Sequence, residues 1–131
     1  MELRPLGSSG LLVSPICLGT MTFGTPVPEA DAVRLVHESI DMGINFIDTA
    51  NVYEGYDRVL GSAGGVAEEI TGKAIADRRD SVVLATKVGA PLGSGPQDRG
   101  LSPLHIEREI EASLKRLGTD VIDLYIIHWP D

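Results

Sequence analysis

Short apolar runs alternate with helical patterns along most of the chain, and this alternation constrains the fold more than any other feature. Strands are predicted at residues 16–18, 46–47, 82–86 and 122–127, and helices near residues 29–42, 67–76 and 103–117. This order is typical of strand–helix–strand units, in which each helix crosses over a parallel sheet. The sequence therefore predicts an α/β fold built on a parallel sheet.

Boundary residues support the helices and a leading hairpin. Ser102 suits the N-cap of the third predicted helix, and Pro103 suits its first position. Gly118 and Gly43 follow the third and first helices, where a left-handed backbone conformation ends a helix. Residues 1–13 show two short extended pieces around a Gly- and Ser-rich turn, which predicts a β-hairpin.

Two architectures fit a parallel sheet covered by helices, an open doubly wound sheet and a (β/α)8 barrel of the TIM type. Residues 19–24 read GTMTFG instead of the G-x-G-x-x-G of dinucleotide-binding sheets, and this favours the barrel. A complete barrel takes about 250 residues. We therefore expect residues 1–131 to be the N-terminal half of a barrel domain, with the hairpin at 1–13 and four strands and three helices at 14–131.

Several segments have expected structural roles. The runs at residues 82–85 and 124–127 are apolar throughout, which predicts strands buried on both faces. Residues 89–100 are rich in glycine and proline and are predicted to form a long loop after a strand, of the kind that often belongs to a site. We expect Cys17 to lie in the core, and His37 and His105 to be solvated on helices.

Composition narrows the classes of ligand. Eleven Lys and Arg residues stand against 19 Asp and Glu residues, a formal net charge of −8. This charge disfavours nucleic acid and anionic membranes as partners and favours a small molecule. The single cysteine excludes an internal disulfide and a cysteine-rich zinc site, and no metal site is predicted. Since no targeting or membrane-spanning segment is recognised, the expected location is the cytoplasm.

Polar residues at the ends of the apolar runs are the candidates for catalysis, because barrel enzymes place their reactive groups there. Four residues qualify: Asp48, Tyr53, Lys87 and His128. Each residue type also has a structural explanation, as a cap, a core residue or a solvated end. Their joint occurrence at successive strand ends favours catalysis, since packing alone does not call for four complementary groups.

These four groups suit the chemistry of a carbonyl compound. An ammonium near a phenol favours its ionised form, so Lys87 would help Tyr53 to release a proton. Asp48 would keep the charge on a partly buried Lys87. His128 would hydrogen-bond to a substrate oxygen and orient it.

Three segments resemble the aldo-keto reductases: DTANVYEG at residues 48–55, ATKVG at 85–89 and the stretch 106–131. The resemblance implies that Asp48, Tyr53, Lys87 and His128 are the catalytic tetrad. It also implies hydride transfer from NADPH (NADP+ after oxidation) to an aldehyde or ketone, with Tyr53 as proton donor.

The same resemblance implies further binding residues. Gly19, Thr20 and Met21, together with Asp48, would lie beside the nicotinamide and its ribose. Phe23 and Trp129 would line the substrate side.

One departure from the family leaves a second hypothesis open. Members of the family run through eight strands, and most of their contacts to the cofactor come from the second half. The chain is thus either part of a reductase or a non-catalytic half-barrel, which would act as an assembly or redox-sensing module. The unpaired strand edges of such a half-barrel would favour self-association.

Overall fold

The computed structural model describes residues 1–131 and begins with an antiparallel hairpin. The hairpin joins β1 (Arg4–Pro5) to β2 (Leu12–Val13). A four-stranded parallel sheet follows. It is formed by β3 (Cys17–Gly19), β4 (Phe46–Asp48), β5 (Val83–Val88) and β6 (Leu124–Ile127).

The spatial order of the sheet is β3-β4-β5-β6, the same as the order along the chain. A doubly wound sheet reverses its strand order at a switch point, whereas a barrel continues in one direction. The sheet is therefore an arc of a (β/α) barrel. The hairpin predicted over residues 1–13 is present, and the strands lie where the apolar runs predict them.

Three helices cover one face of this sheet: α1 (Glu29–Asp41), α2 (Val66–Ile75) and α3 (Pro103–Leu117). As the sequence predicts, Ser102 caps α3, because its side chain accepts a hydrogen bond from the backbone N–H of His105 at 3.3 Å. Gly118 ends α3 at a φ of 63°, a left-handed conformation. These local signals fix where α3 begins and ends.

The hydrophobic core lies between the helices and the sheet. Ile47 of β4 and Leu84 of β5 are register partners that point into it, and they belong to one core cluster with buried residues of all three helices, such as Val36, Ile70 and Leu117. Because successive strand side chains point to opposite faces, Asp48 and its neighbours lie on the other face, away from the helices. The sheet thus separates a packed side from a polar side.

Four expectations about burial were wrong. β6 is an edge strand and is only partly covered, and Ile127 is 60% exposed. Cys17 is exposed because β3 is the opposite edge strand. His105 is 2% exposed rather than solvated. His37 is half-buried, and its Nε2 donates to the carbonyl oxygen of Ala74 at 2.8 Å.

Candidate active site

Strand register brings the predicted catalytic residues to one end of the sheet. Asp48 is the last residue of β4 and lies opposite Ala85, two positions before Lys87 on β5. His128 directly follows β6, and its backbone N–H donates to the carbonyl oxygen of Val88 at 2.9 Å. The carboxyl ends of neighbouring parallel strands therefore place Asp48, Lys87 and His128 close together.

Lys87 connects the cluster. Its Nζ lies 2.6 Å from Oδ2 of Asp48 and 3.0 Å from Oη of Tyr53, and it also donates to the backbone oxygen of Thr49 at 2.9 Å. The side chains of Lys87 and Asp48 are 12% and 27% exposed. In such a partly buried place the carboxylate compensates the charge of the ammonium, which in turn holds the phenol oxygen.

Tyr53 reaches this ammonium from the loop between β4 and α2. Its backbone carbonyl accepts a hydrogen bond from the N–H of Ala67, in the first turn of α2, at 2.9 Å. Its own N–H donates to the oxygen of Ala50 at 3.1 Å. The Nζ of Lys87 lies 4.5 Å from the centre of the Tyr53 ring, within the range of a cation–π contact. Hydrogen bonds to Ala50 and Ala67 thus hold the backbone of Tyr53, while Lys87 holds its side chain.

His128 is the fourth member of the cluster. Its ring meets the Tyr53 ring edge-on at 5.6 Å and stacks on the Trp129 ring at 5.3 Å. Burial and the nearby Lys87 charge lower the pKa of His128, against an opposing effect of Asp48. The imidazole is therefore neutral near pH 7, with one N–H to donate and one nitrogen to accept.

A cavity of about 600 Å³ opens beside this cluster. Tyr53, His128 and Trp129 form part of its wall, and Met21 lies there too, so two residues expected for substrate or cofactor contacts face the same space. A larger groove of about 740 Å³ runs between α2 and α3 on the helical side, but it contains none of the predicted site residues. The smaller cavity is therefore the candidate active site, because it is the one lined by predicted site residues.

The residues predicted to hold the cofactor divide into two groups. A side chain added at Gly19, beside Asp48 in the sheet, would meet nothing within 4 Å, and Met21 is 52% exposed. This open surface fits a flat ring such as nicotinamide. Thr20 offers no such open surface, because it is 0% exposed and its Oγ1 lies buried without a hydrogen-bond partner.

Phe23 also lies apart from the cavity. It is 0% exposed and belongs to the core cluster between the helices and the sheet. The expectation that Phe23 lines the substrate side therefore differs from its position in the structure, since its ring has no free face. Conversely, the cavity wall contains Arg58 and Tyr56, which no pattern in the sequence indicates. Both lie in the loop before α2, where no periodic pattern indicates which way a side chain points.

Comparison with known proteins supports the same interpretation. The model of the Aldo/keto reductase family matches residues 15–131. The chain is 49% identical over 138 residues to the uncharacterized oxidoreductase YrpG of Bacillus subtilis, covering 100% of the chain and 41% of the relative. It is 42% identical over 135 residues to an Oryza sativa protein named "Probable voltage-gated potassium channel subunit beta", covering 100% of the chain and 38% of that protein.

A solved structure agrees with these sequence matches. The holo form of aldo-keto reductase AKR11C1 from Bacillus halodurans superposes with a TM-score of 0.77 at 37% identity, over 95% of this chain and 39% of that one. The chain thus spans about two fifths of the length of the relatives that it matches. On the family match, the strand order and these relatives, the chain belongs to the aldo/keto reductase family.

Proposed function

We propose that this chain carries the catalytic residues of an NADPH-dependent enzyme that reduces aldehydes or ketones to alcohols. The observation that carries the proposal is the position of Lys87, whose ammonium contacts Asp48 at 2.6 Å and Tyr53 at 3.0 Å beside an open cavity. Family membership supports oxidoreductase chemistry. In this proposal residues 1–131 are the N-terminal half of the barrel domain, and the enzyme works in the cytoplasm.

Each residue of the cluster has a defined part in the reaction. Bound NADPH would supply the hydride for the carbonyl carbon. Tyr53 gives its proton to the carbonyl oxygen, and the Lys87 ammonium stabilises the negative charge left on Oη. Asp48 holds Lys87 in place, and neutral His128 donates a hydrogen bond that orients the carbonyl. Gly19, Met21 and Asp48 are the residues of this chain that would lie against the nicotinamide and its ribose.

The first experiment titrates NADPH into the 131-residue chain, follows the cofactor fluorescence, and then adds benzaldehyde. We expect saturable binding followed by oxidation of NADPH. In Tyr53→Phe the rate of oxidation falls by about a hundredfold or more, because the proton donor is removed, while NADPH binding changes little.

Tyr125→Phe is the matched control. The Oη of Tyr125 is buried without a hydrogen-bond partner, and its surroundings are Glu109 and Glu68 of the helical layer rather than the cavity. Its removal should leave oxidation of NADPH at the wild-type rate. Full activity in Tyr53→Phe would contradict the assigned role. A chain that neither binds NADPH nor oxidises it would contradict the expectation that residues 1–131 bind the cofactor without the rest of the barrel.

The relative named as a channel subunit favours a second candidate function, in which the chain binds the cofactor as part of a larger assembly. The two functions predict different results in the same titration. A sensing subunit would bind NADPH without appreciable turnover of benzaldehyde, and Tyr53→Phe would then change neither quantity.

A further inference from the structure

Arg58 stands in the wall of the catalytic cavity together with Tyr53 and His128. It lies in the loop between β4 and α2, the same loop that carries Tyr53. No other Lys or Arg residue lines this cavity. In a chain with a formal net charge of −8, a lone cation at this place needs an explanation.

The guanidinium of Arg58 has no acidic partner in the protein. No carboxylate oxygen lies within 4.0 Å of it, although most other arginines form such pairs. Its one hydrogen bond runs from Nη2 to the carbonyl oxygen of Pro91 at 2.7 Å, and its Nε is buried with no partner at all. Arginine has five N–H donors, so most of them remain free.

The acidic residue in the same wall does not satisfy Arg58. Glu54 also lines the cavity, but its carboxylate accepts from the hydroxyl of Ser62. At the neighbouring cluster, the charge of Lys87 is compensated by Asp48 at 2.6 Å. The positive charge of Arg58 is also felt at the reaction centre, where it contributes to the lowered pKa of His128.

We propose that Arg58 binds an anionic group of the substrate, so that the carbonyl compound reduced here carries a carboxylate or a phosphate. This inference rests on the proposed function for the reaction, but its binding step does not. The carbonyl lies against Tyr53 and His128, and the oxyanion accepts from the free N–H groups of the guanidinium, whose planar fork matches both groups. The apolar part of the substrate lies between them, against Val52, Ala90 and Trp129.

The test uses the single tryptophan of the chain, Trp129, whose fluorescence reports on ligands in the cavity that it lines. The ligands are para-carboxybenzaldehyde and its neutral methyl ester, methyl para-formylbenzoate, which have the same aldehyde and ring. We expect the wild-type chain to bind the acid about tenfold or more tightly than the ester, since a hydrogen-bonded charge pair contributes on this scale. A parallel titration with para-formylphenyl phosphate shows which of the two anions is preferred.

Three variants establish which residue is responsible. In Arg58→Gln the ratio of the two affinities falls to near one, and in Arg58→Lys, which keeps a charge but not the planar fork, it takes an intermediate value. Arg99→Gln is the matched control, because Arg99 is also without a carboxylate partner but lines a different groove, next to α3. It should keep the wild-type ratio.

The possible results separate this inference from the proposed function. Equal affinities for acid and ester in the wild type, no binding of either, or an unchanged ratio in Arg58→Gln would overturn the inference. A preference for the acid that is lost in Arg58→Gln supports it, whether or not NADPH is oxidised. Failure of NADPH oxidation beside such a preference would count against the proposed function alone.

Discussion

At the scale of single residues, the ammonium of Lys87 determines the geometry of the site. It has three N–H donors, and the structure gives each of them an acceptor: Oδ2 of Asp48, the backbone oxygen of Thr49 and Oη of Tyr53. Rotation of the side chain toward solvent would break all three hydrogen bonds. The phenol oxygen is therefore held next to a positive charge, and this is the preorganisation that the proposed reaction would require.

Cys17 provides a test of the same local electrostatics. Although the residue is exposed on the edge strand β3, partial burial of its thiol raises the pKa from 9.0 to about 11, with a further increase from Asp48 and an opposing effect of Lys87. Because only the thiolate reacts, alkylation by iodoacetamide at about pH 8 should be about a hundredfold slower than for a cysteine with an ordinary pKa. The measurement is the alkylation rate as a function of pH.

The direction of the shift in the pKa of Cys17 can be checked from the same pH profile. The rate should rise as pH approaches about 11, where the thiolate becomes abundant. In Asp48→Asn the negative charge is gone, so the midpoint of the profile should move to lower pH. A wild-type midpoint near 9.0 would contradict the arrangement of Cys17, Asp48 and Lys87 described above.

The residues that the sequence could and could not identify differ in how their position is encoded. Asp48, Lys87 and His128 end apolar runs, and the end of a strand has a fixed place in a parallel sheet. Arg58 lies in a loop, where only the folded backbone decides which cavity a side chain meets. Phe23 was expected on the substrate side and lies in the core instead. The sequence does not distinguish an aromatic residue that packs in the core after a strand from one that faces a ligand.

At the scale of elements, the loop between β4 and α2 depends on a glycine that is tightly enclosed. Gly64 has a φ of +64°, and a side chain there would overlap with the backbone oxygen of Asn51 and with Leu92. Gly118 has almost the same φ of +63° but nothing within 4 Å of its added side chain. At both positions the left-handed backbone would strain a non-glycine residue, but only at Gly64 would the added side chain also clash with its neighbours.

This pair predicts unequal losses of stability on substitution by alanine. Gly118→Ala should lower the free energy of unfolding by about 1 kcal/mol, from strain alone. Gly64→Ala should lower it by roughly 2 kcal/mol more, since the backbone around Asn51 must shift. Urea denaturation followed by circular dichroism measures both values. Equal losses would mean that the loop adapts freely, and would remove it as a rigid support for Tyr53.

Helix positions were predictable because their signals are local. The pattern over residues 103–117 and the flanking Ser102 and Gly118 give the observed bounds of α3, Pro103–Leu117. The burial of β6 was not predictable in this way. Its apolar run has the composition of a central strand, but how much of a strand is covered depends on neighbours that are distant in sequence, and β6 has only β5 beside it.

At the scale of the whole molecule, the arc of sheet has two free edges, one on β3 and one on β6. Unpaired backbone groups on such edges favour pairing with another chain, and Ile127 adds an apolar side chain that is 60% exposed. The formal net charge of −8 opposes association. We therefore expect the extent of self-association to depend on the salt concentration.

Sedimentation velocity over a range of protein and salt concentrations tests this expectation. Added salt screens the repulsion between acidic chains, so the weight-average sedimentation coefficient should rise with ionic strength. Ile127→Lys places a charge on the β6 edge and should shift the chain toward monomer. Leu104→Lys is the matched control: Leu104 is 65% exposed on α3 and belongs to neither edge strand, so its charge should act only through the net charge. If both variants shifted association equally, the edges would not be the contact, and repulsion between whole molecules would be the sole determinant.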